Sequence, residues 1–153
     1  MQPEGSPSAS SDFAAVIRRA LPVSCSSQGP GVRTQFLRDL AGSYRYQQRA
    51  IDMVDLDVVF RNAQSPRLGV ATASGEQRAA TAAMQAFLAA GGRRAQYGLL
   101  IAAFPPGYKR YIEPKLAFNA LRGNWDPDVF LEWGFYEDER LASDAARVSV
   151  LLG

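Results

Sequence analysis

The stretch GVATASGEQRAATAAMQAF, residues 69–87, determines how the rest of the sequence is interpreted. Its first residues are small and tolerate an extended backbone, whereas the alanine-rich second half is typical of a helix. The polar joint has the spacing of a capping box, in which Ser74 caps the helix and Gln77 bonds back to it. Gly91 and Gly92 supply the helix stop. The predicted buried stripe of this helix is Ala80, Ala83, Met84, Phe87 and Leu88.

Three further strands are predicted downstream. Residues 97–104, YGLLIAAF, are continuously apolar, which indicates a strand buried on both faces. Residues 128–136, DVFLEWGFY, and residues 146–152, ARVSVLL, alternate between apolar and other side chains, as half-buried strands do. The polar segment EDERLASDA, residues 137–145, is therefore predicted to be a hairpin loop between them.

Helical patterns account for the remaining apolar residues. Residues 33–51 carry Phe36, Leu40 and Tyr44 at four-residue spacing, which predicts one buried stripe. The segment DMVDLDVVFRNA, residues 52–63, is interpreted as a helix begun by Asp52 or Asp55, although its alternation also fits a strand. A last helix begins near Pro114. Its predicted inner face consists of Leu116, Ala117, Ala120 and Leu121. The expected class is α+β, with a sheet of about four strands packed with helices.

Composition narrows the possible chemistry. The chain has 153 residues, of which 47% are hydrophobic and 21% charged, and its formal net charge is +2. These values fit one globular domain, assigned to residues 32–153 after a disordered or loosely structured segment at residues 1–31. Histidine is absent and Cys25 is the one cysteine, so disulfides, zinc sites and a cysteine–histidine pair are not expected. No apolar run is long enough for a membrane span.

The opening stretch resembles the strand–turn–helix signature in the C-terminal domain of FtsZ, the tubulin-like division GTPase of bacteria. The matching residues are Ala73, Ser74, Gly75, Glu76, Arg78 and Ala79. The segment RYIEPKLAFNALR, residues 110–122, is similar to a helix of that family, and ARVSVLLG, residues 146–153, is similar to its terminal strand. Upstream, IDMVDLDVV, residues 51–59, resembles the family's acidic loop. The resemblance covers about residues 50–153 and implies the fold of that C-terminal domain.

The resemblance also implies a role in protein association. In FtsZ and tubulin, the acidic loop of one subunit presents carboxylates to the nucleotide held by the next. Asp52 and Asp55 keep that spacing here, so they are the candidate partner-binding residues; the alternative is that they only cap a helix. The glycine-rich nucleotide-binding signature of the family does not occur in these residues. We therefore expect no enzymatic activity, cofactor, metal or small-molecule substrate.

Three residues are weaker candidates for partner contact. Asp57 follows the acidic loop, and Phe130 and Tyr136 share the strand face opposite the apolar one, where an interface is predicted. The expected partner is FtsZ or a related tubulin-like GTPase, or a second copy of this chain, and not nucleic acid. The expected location is the cytoplasm, with the division site as a possible destination. The alternative function is an adaptor or oligomerising module that reuses the fold in an unrelated system.

Overall fold

The computed structural model describes residues 30–46, 53–63 and 65–153. In chain order the elements are α1 (Pro30–Tyr46), α2 (Met53–Asn62), β1 (Arg67–Ser74), α3 (Arg78–Ala89), β2 (Tyr97–Phe104), α4 (Glu113–Ala120), a 3-10 turn (Arg122–Asn124), β3 (Phe130–Glu137) and β4 (Ala145–Leu152). The predicted α+β class and its four strands are confirmed. None of the helices in the described part of the chain is long and apolar enough to cross a bilayer.

The four strands form one mixed sheet in the order β1-β4-β2-β3. Strand β4 is antiparallel to β1 and β2, whereas β2 and β3 are parallel. The predicted hairpin between β3 and β4 is therefore wrong, because β2 lies between these strands. Burial gives the reason: β4 is buried on both faces and takes a central position, whereas β3 is mostly half-buried and takes an edge. Alternation along a strand reports exposure and does not identify its neighbours.

Helices cover both faces of the sheet, which creates two cores. Helices α3 and α4 pack on one face, where the core includes Leu100, Ala102 and Phe104 of β2. Helices α1 and α2 pack on the other face, where Leu99 and Ile101 of β2 lie. The prediction that β2 is buried on both faces is confirmed, and its continuous apolar pattern follows from contact with two helical layers.

Helix α3 meets the sheet through its smallest side chains. The buried residues of this helix are Arg78, Ala79, Ala82, Ala83, Ala86 and Phe87. The predicted stripe is thus partly wrong, because Met84 and Leu88 are 36% and 62% exposed. The close approach of α3 to β1 explains why its small side chains, and not its larger ones, face the sheet. A β-carbon on Gly69 would overlap the carbonyl oxygen of Ala86 and lie 2.7 Å from the backbone nitrogen of Ala90.

The sequence correctly predicts the C-terminal end of α3 but not the way its N-terminal end is capped. The helix stops as expected, with Gly91 and Gly92 at φ angles of 107° and 65°. Their N–H groups donate to the carbonyls of Leu88 and Phe87, respectively. The predicted capping box at the other end is wrong. Gln77 occupies the N-cap position without a side-chain cap hydrogen bond, and Ser74 is an exposed end residue of β1.

Helices α1, α2 and α4 form where the sequence predicts them, but some of the residues on their buried faces differ from the prediction. The helix interpretation of residues 53–62 is confirmed, but Val54 is 71% exposed while Leu56 and Val59 are buried. In α4, Leu116 is 45% exposed and Pro114 takes an inward position instead. The predicted burial of Phe36 and Leu40 in α1, and of Ala117 and Leu121 in and directly after α4, is confirmed.

Part of the sequence prediction lies outside the described residues. This applies to Cys25, to Asp52, and to residues 47–51, which were predicted to continue the first helix. The predicted disorder of residues 1–31 also falls outside, apart from Pro30 and Gly31, which begin α1.

Replacing Gly69 by alanine is expected to lower the free energy of unfolding by about 3 kcal/mol, because the added methyl group has no space beside α3. The measurement is urea unfolding of both proteins. Gly123→Ala is the control, because a β-carbon there meets no atom within 4 Å, and it is expected to change the stability by less than about 0.5 kcal/mol. Equal effects of the two substitutions would contradict the close packing of α3 on β1.

Candidate functional site

The start of α3, just after the polar joint of residues 74–77, carries a buried ion pair. Arg78 Nε and Nη2 donate to the two carboxylate oxygens of Glu113 at 2.7 and 2.9 Å. Arg78 Nη1 donates to the carbonyls of Ser143 and Ala145. The guanidinium therefore joins the first turns of α3 and α4 to the start of β4, which is a structural role for the signature residue.

The surroundings of this pair hold it in the charged form. The hydrogen bond from Arg78 is the main reason why the pKa of Glu113 is lowered, against the opposing effect of burial, and the backbone N–H of Lys109 adds to it. The hydrogen bond to Glu113 likewise raises the pKa of Arg78. Both partners are thus occupied inside the fold, and neither is available to a substrate.

A second buried network lies between α1 and the sheet, centred on Asp39. Asp39 is fully buried and accepts hydrogen bonds from Nη2 of Arg147 at 2.7 Å and from the Tyr136 hydroxyl at 2.7 Å. Both of these bonds go to Oδ1, to which the Gln35 side-chain amide also donates from one turn earlier, whereas Oδ2 accepts from the Ser149 hydroxyl. The carboxylate is fully paired, which a buried charge requires.

Arg147 links this network to the loop after β3. Its Nη2 donates to Asp138 at 2.8 Å as well as to Asp39. Burial acts to raise the pKa of Asp138, but hydrogen bonds from Arg147 and from the backbone of Arg140, with their positive charges, hold it below its usual range. Burial and the adjacent Asp39 carboxylate raise the pKa of Tyr136 far above its ordinary value.

The structure gives Tyr136 an internal role rather than the surface role predicted for it. Tyr136 is 5% exposed and its hydroxyl is bonded to Asp39. Phe130 does share its sheet face, as the alternation predicted, but it is half-buried beside Tyr97 with ring centroids 6.3 Å apart. Only Phe130 of the two lies where a partner can reach it.

Sequence reasoning missed Asp39 and Arg147, although a signal is present. Asp39 lies three residues after Phe36 and one before Leu40, on the apolar stripe of α1. Arg147 and Ser149 alternate with the apolar residues of β4 on the face toward α1. A charge on a buried stripe indicates a buried counter-charge, but the sequence does not tell which residue supplies it.

The remaining predicted site residues lie on α2. Asp55 is in the first turn, where a carboxylate is stabilised by the helix dipole, and it is half-buried. Asp57 forms an exposed i,i+4 ion pair with Arg61 at 2.8 Å. Val58 follows Asp55 by three residues and so lies on the same side of the helix.

A cleft beside α2 brings several of these features together. It has a volume of about 510 Å³ and is lined by Val58, Gln96, Tyr97, Asp126, Pro127, Asp128 and Phe130. Tyr97 and Phe130 are the first residues of β2 and β3, so the cleft is at the end of the sheet where these parallel strands begin. Aromatic rings with two carboxylates nearby form a surface suited to a partner with apolar and positively charged groups.

The described residues contain little else that indicates chemistry. No cluster of three or more carboxylate, thiol or imidazole side chains within the described ranges has the arrangement to hold a metal ion. The most strongly perturbed groups, Tyr136 and Arg147, belong to the buried network around Asp39. The surface at the cleft is therefore the candidate functional site, and its features are those of a binding surface.

The architecture of the chain is that of the C-terminal domain of FtsZ and related tubulin-like proteins. The FtsZ dimer of M. jannaschii superimposes with a TM-score of 0.61 at 22% sequence identity, over 67% of this chain and 30% of the FtsZ chain. CetZ2 from Haloferax volcanii, in a GTPγS-bound protofilament, superimposes with a TM-score of 0.56 at 15% identity, over 88% of this chain and 43% of that chain.

These similarities concern the fold. The chain spans less than half the length of either protein, and the identities are low. No protein-family model and no curated protein matches the sequence. The resemblance predicted from the sequence is thus confirmed as a likeness of structure to one part of a tubulin-like subunit.

Replacing Asp39 by asparagine is expected to lower the free energy of unfolding by about 3 kcal/mol, because buried Arg147 loses a charged partner. The measurement is urea unfolding at neutral pH. Asp57→Asn is the matched control: it removes a carboxylate from an exposed pair and is expected to cost less than about 0.5 kcal/mol. A loss for Asp39→Asn as small as that of the control would contradict the structural role of the buried network.

Acid is expected to destabilise the fold through Asp138 and Glu113, because the pKa of each carboxyl is lower in the folded chain. Their stabilising effect is complete above the unfolded pKa values, about 3.9 and 4.3. It is lost as the pH falls below about 4 toward the folded values.

The measurement for this prediction is the free energy of unfolding between about pH 6 and about pH 2. Asp138→Asn is expected to show a shallower fall with acid than the unchanged chain, since one of the two carboxyls no longer titrates. Asp128→Asn, an exposed change at the cleft, serves as the comparison. An identical slope for Asp138→Asn and the unchanged chain would exclude this contribution.

Proposed function

We propose that this chain is an interaction module that binds a tubulin-like GTPase, or its filaments, through the end that carries α2 and the cleft, and thereby modulates assembly. The observation that carries the proposal is the combination of this fold with carboxylates on α2 and in the adjoining cleft. The fold is that of the C-terminal part of proteins solved as an FtsZ dimer and as a CetZ2 protofilament. By analogy, the same end of this chain docks on a neighbouring subunit.

The distribution of carboxylates supports this choice of surface. Asp55 and Asp57 lie on α2, and Asp126 and Asp128 line the adjoining cleft. Asp52 precedes α2 by one residue and belongs to the same acidic loop by its resemblance to the family. Carboxylates at this end favour association with a positively charged surface and add to specificity.

The proposed role is non-enzymatic. The resemblance assigns nucleotide binding to the other half of a tubulin-like subunit, and its glycine-rich signature does not occur in these residues. The buried ionic groups are already bonded to one another, as Arg78 is to Glu113 and Arg147 to Asp39. On this proposal, Asp52 and Asp55 act on a nucleotide only when a partner holds it.

A second function, an adaptor or oligomerising module in an unrelated system, uses the same fold differently. The position of Asp55 in the first turn of α2 favours it, because helix stabilisation alone explains a carboxylate there. In that case the acidic loop is structural, and partner binding does not depend on its charges.

An assembly assay separates the two functions. FtsZ is polymerised with GTP in the presence of increasing amounts of this protein, and assembly is followed by light scattering and by co-sedimentation. The proposal predicts a change in assembly that the double variant Asp52→Asn, Asp55→Asn loses at least about tenfold in potency, since charge complementarity is removed.

The matched control is Glu76→Gln, Glu139→Gln, which removes two exposed carboxylates from loops at the other end of the sheet and is expected to act like the unchanged protein. An equal effect of all three proteins on assembly favours the adaptor function. Absence of binding and of any effect at excess protein would overturn the proposal that a GTPase of this class is the partner.

A further inference from the structure

The free edge of β1 is not explained by the proposed function. The sheet order β1-β4-β2-β3 leaves β1 and β3 with a partner strand on one side only. An edge strand presents backbone N–H and C=O groups with which another chain can pair, and natural proteins protect such edges with charges, prolines or bulges. The two edges of this sheet differ in that protection.

The edge of β3 is partly closed by one of its own side chains. The backbone N–H groups of Phe130 and Asp138 donate to β2, so the N–H of Trp133, an odd number of residues away, faces outward. The carboxylate of Glu132 accepts a hydrogen bond from that N–H at 3.3 Å. A charged group in this position hinders the pairing of a further strand.

The hydrogen-bond pattern shows which backbone groups of β1 face away from the sheet. In an antiparallel pair, opposite residues that exchange hydrogen bonds alternate with opposite residues that do not. Gly75 donates to the carbonyl of Asp144 opposite it at 3.0 Å, so every second residue counted back from Gly75 bonds to β4. The residues between these have outward N–H and C=O groups; they are Leu68, Val70, Thr72 and Ser74.

The accessible part of this edge comprises residues 70–74, and it is unprotected. Leu68 and Gly69 are buried, whereas Thr72 and Ser74 are exposed. The strand contains no lysine or proline and pairs with β4 residue by residue, without a bulge. Among the described residues, no backbone or side-chain group bonds to the outward groups of residues 70–74. An extended segment can therefore pair with them.

The end of this edge beyond Ser74 is negatively charged. Glu76 follows in the turn after β1 and Asp144 directly precedes β4, and both are exposed. Arg78 lies close by, but it is bonded to both carboxylate oxygens of Glu113, which balances its charge. The loop of residues 137–144 adds three further acids and one arginine. A basic group is consequently favoured at this end.

The other end of the edge is positively charged. Arg67 begins β1, and its guanidinium lies against Gly91 in the loop after α3. Arg93 and Arg94 follow in the same loop, and all three arginines are exposed. The carboxylates of the cleft lie beside β2 and β3, at least two strands away from β1, which is about 10 Å. An acidic group is consequently favoured at this end.

We propose that the free edge of β1 binds an extended segment of a partner protein, which joins the sheet antiparallel to β1. The segment has basic residues where it passes Glu76 and Asp144, β-branched residues along residues 70–74, and acidic residues near Arg67. Antiparallel pairing is the more stable arrangement per residue, so the segment runs from its basic to its acidic end. This edge is separate from α2 and the cleft, so the binding does not depend on the proposed function.

The short length of the edge favours a segment over a folded partner. Five accessible residues offer a second folded copy little area beside the roughly 1,000 Å² that a stable interface buries. An extended segment gains its affinity from backbone hydrogen bonds along its whole length, and the charges at the two ends of the edge supply its specificity.

A synthetic peptide tests the proposal. The probe has capped termini and consists of two lysines, the run Val-Thr-Val-Thr-Val and two glutamates. It carries a fluorophore and is titrated with the full chain, and binding is followed by fluorescence anisotropy. Thr72→Pro removes one outward N–H without removing a bond to β4 and is expected to weaken binding at least about fivefold. Thr72→Val keeps that N–H and is expected to bind like the unchanged chain.

The charged end has its own variants. Glu76→Lys, Asp144→Lys is expected to weaken binding of the peptide at least about fivefold, because like charges then meet. Added salt is expected to weaken binding to the unchanged chain, since it screens the charged contacts. Arg122→Glu, an exposed reversal after α4, is the control and is expected to have no effect. Thermal unfolding of each variant verifies that the fold is retained.

Hydrogen exchange followed by NMR distinguishes strand addition from other modes of binding. With the peptide bound, the amides of Val70, Thr72 and Ser74 are expected to exchange at least about tenfold more slowly. Those of Ala71 and Ala73, which already bond to β4, are expected to change little. This alternation follows only from a strand that pairs with the outward side of β1.

Three outcomes would overturn the proposal. The first is a peptide that does not bind, or that binds without the alternating protection. The second is slow exchange of the outward amides in the chain alone at every protein concentration, which would show that another part of this chain covers the edge. The third is slow exchange that appears only at high protein concentration, which would assign the edge to a second copy.

Discussion

Strand β2 is buried on both faces, and this constraint determines where the other elements lie. A sheet with apolar side chains on both sides needs a helical layer on each, so α1 and α2 cover one face and α3 and α4 the other. Strand β4 is equally buried and is placed beside β2, which leaves the half-buried β3 at an edge. Strands β2 and β3 are parallel, so their first residues, Tyr97 and Phe130, lie at the same end of the sheet and line part of the cleft.

Two buried ionic networks fix how the helical layers sit on the sheet. Arg78 and Glu113 join α3, α4 and the start of β4 on one face, while Asp39 and Arg147 join α1 to β4 on the other. Apolar packing alone tolerates shifts of a helix along a sheet, whereas a paired charge has one satisfactory position. These buried charges therefore position the helices on the sheet.

The sequence predicted the elements of this fold better than their pairing. Alternation located β3 and β4, small residues before the polar joint located β1, and the apolar run of residues 97–104 correctly indicated burial on both faces. The sequence did not reveal that β2 lies between β3 and β4, because strand order depends on contacts between distant residues. On α3 the sequence prediction placed the large side chain of Met84 in the core, whereas the smaller Ala82 is buried there and Met84 is exposed. The sequence singled out Asp55, whose partner-binding role stays a prediction, whereas the cleft required coordinates because its lining comes from three separated segments.

The alanine face of α3 has a consequence for how this protein can change over time. Most cores adapt to substitution by exchanging larger for smaller side chains among neighbours, which keeps the total volume constant. Where Ala86 and Ala90 already meet Gly69 of β1, no volume is left to exchange, and glycine in a helix lowers its stability. Sequence drift in this helix is consequently confined to its outer side, where Met84, Gln85 and Leu88 are free to vary.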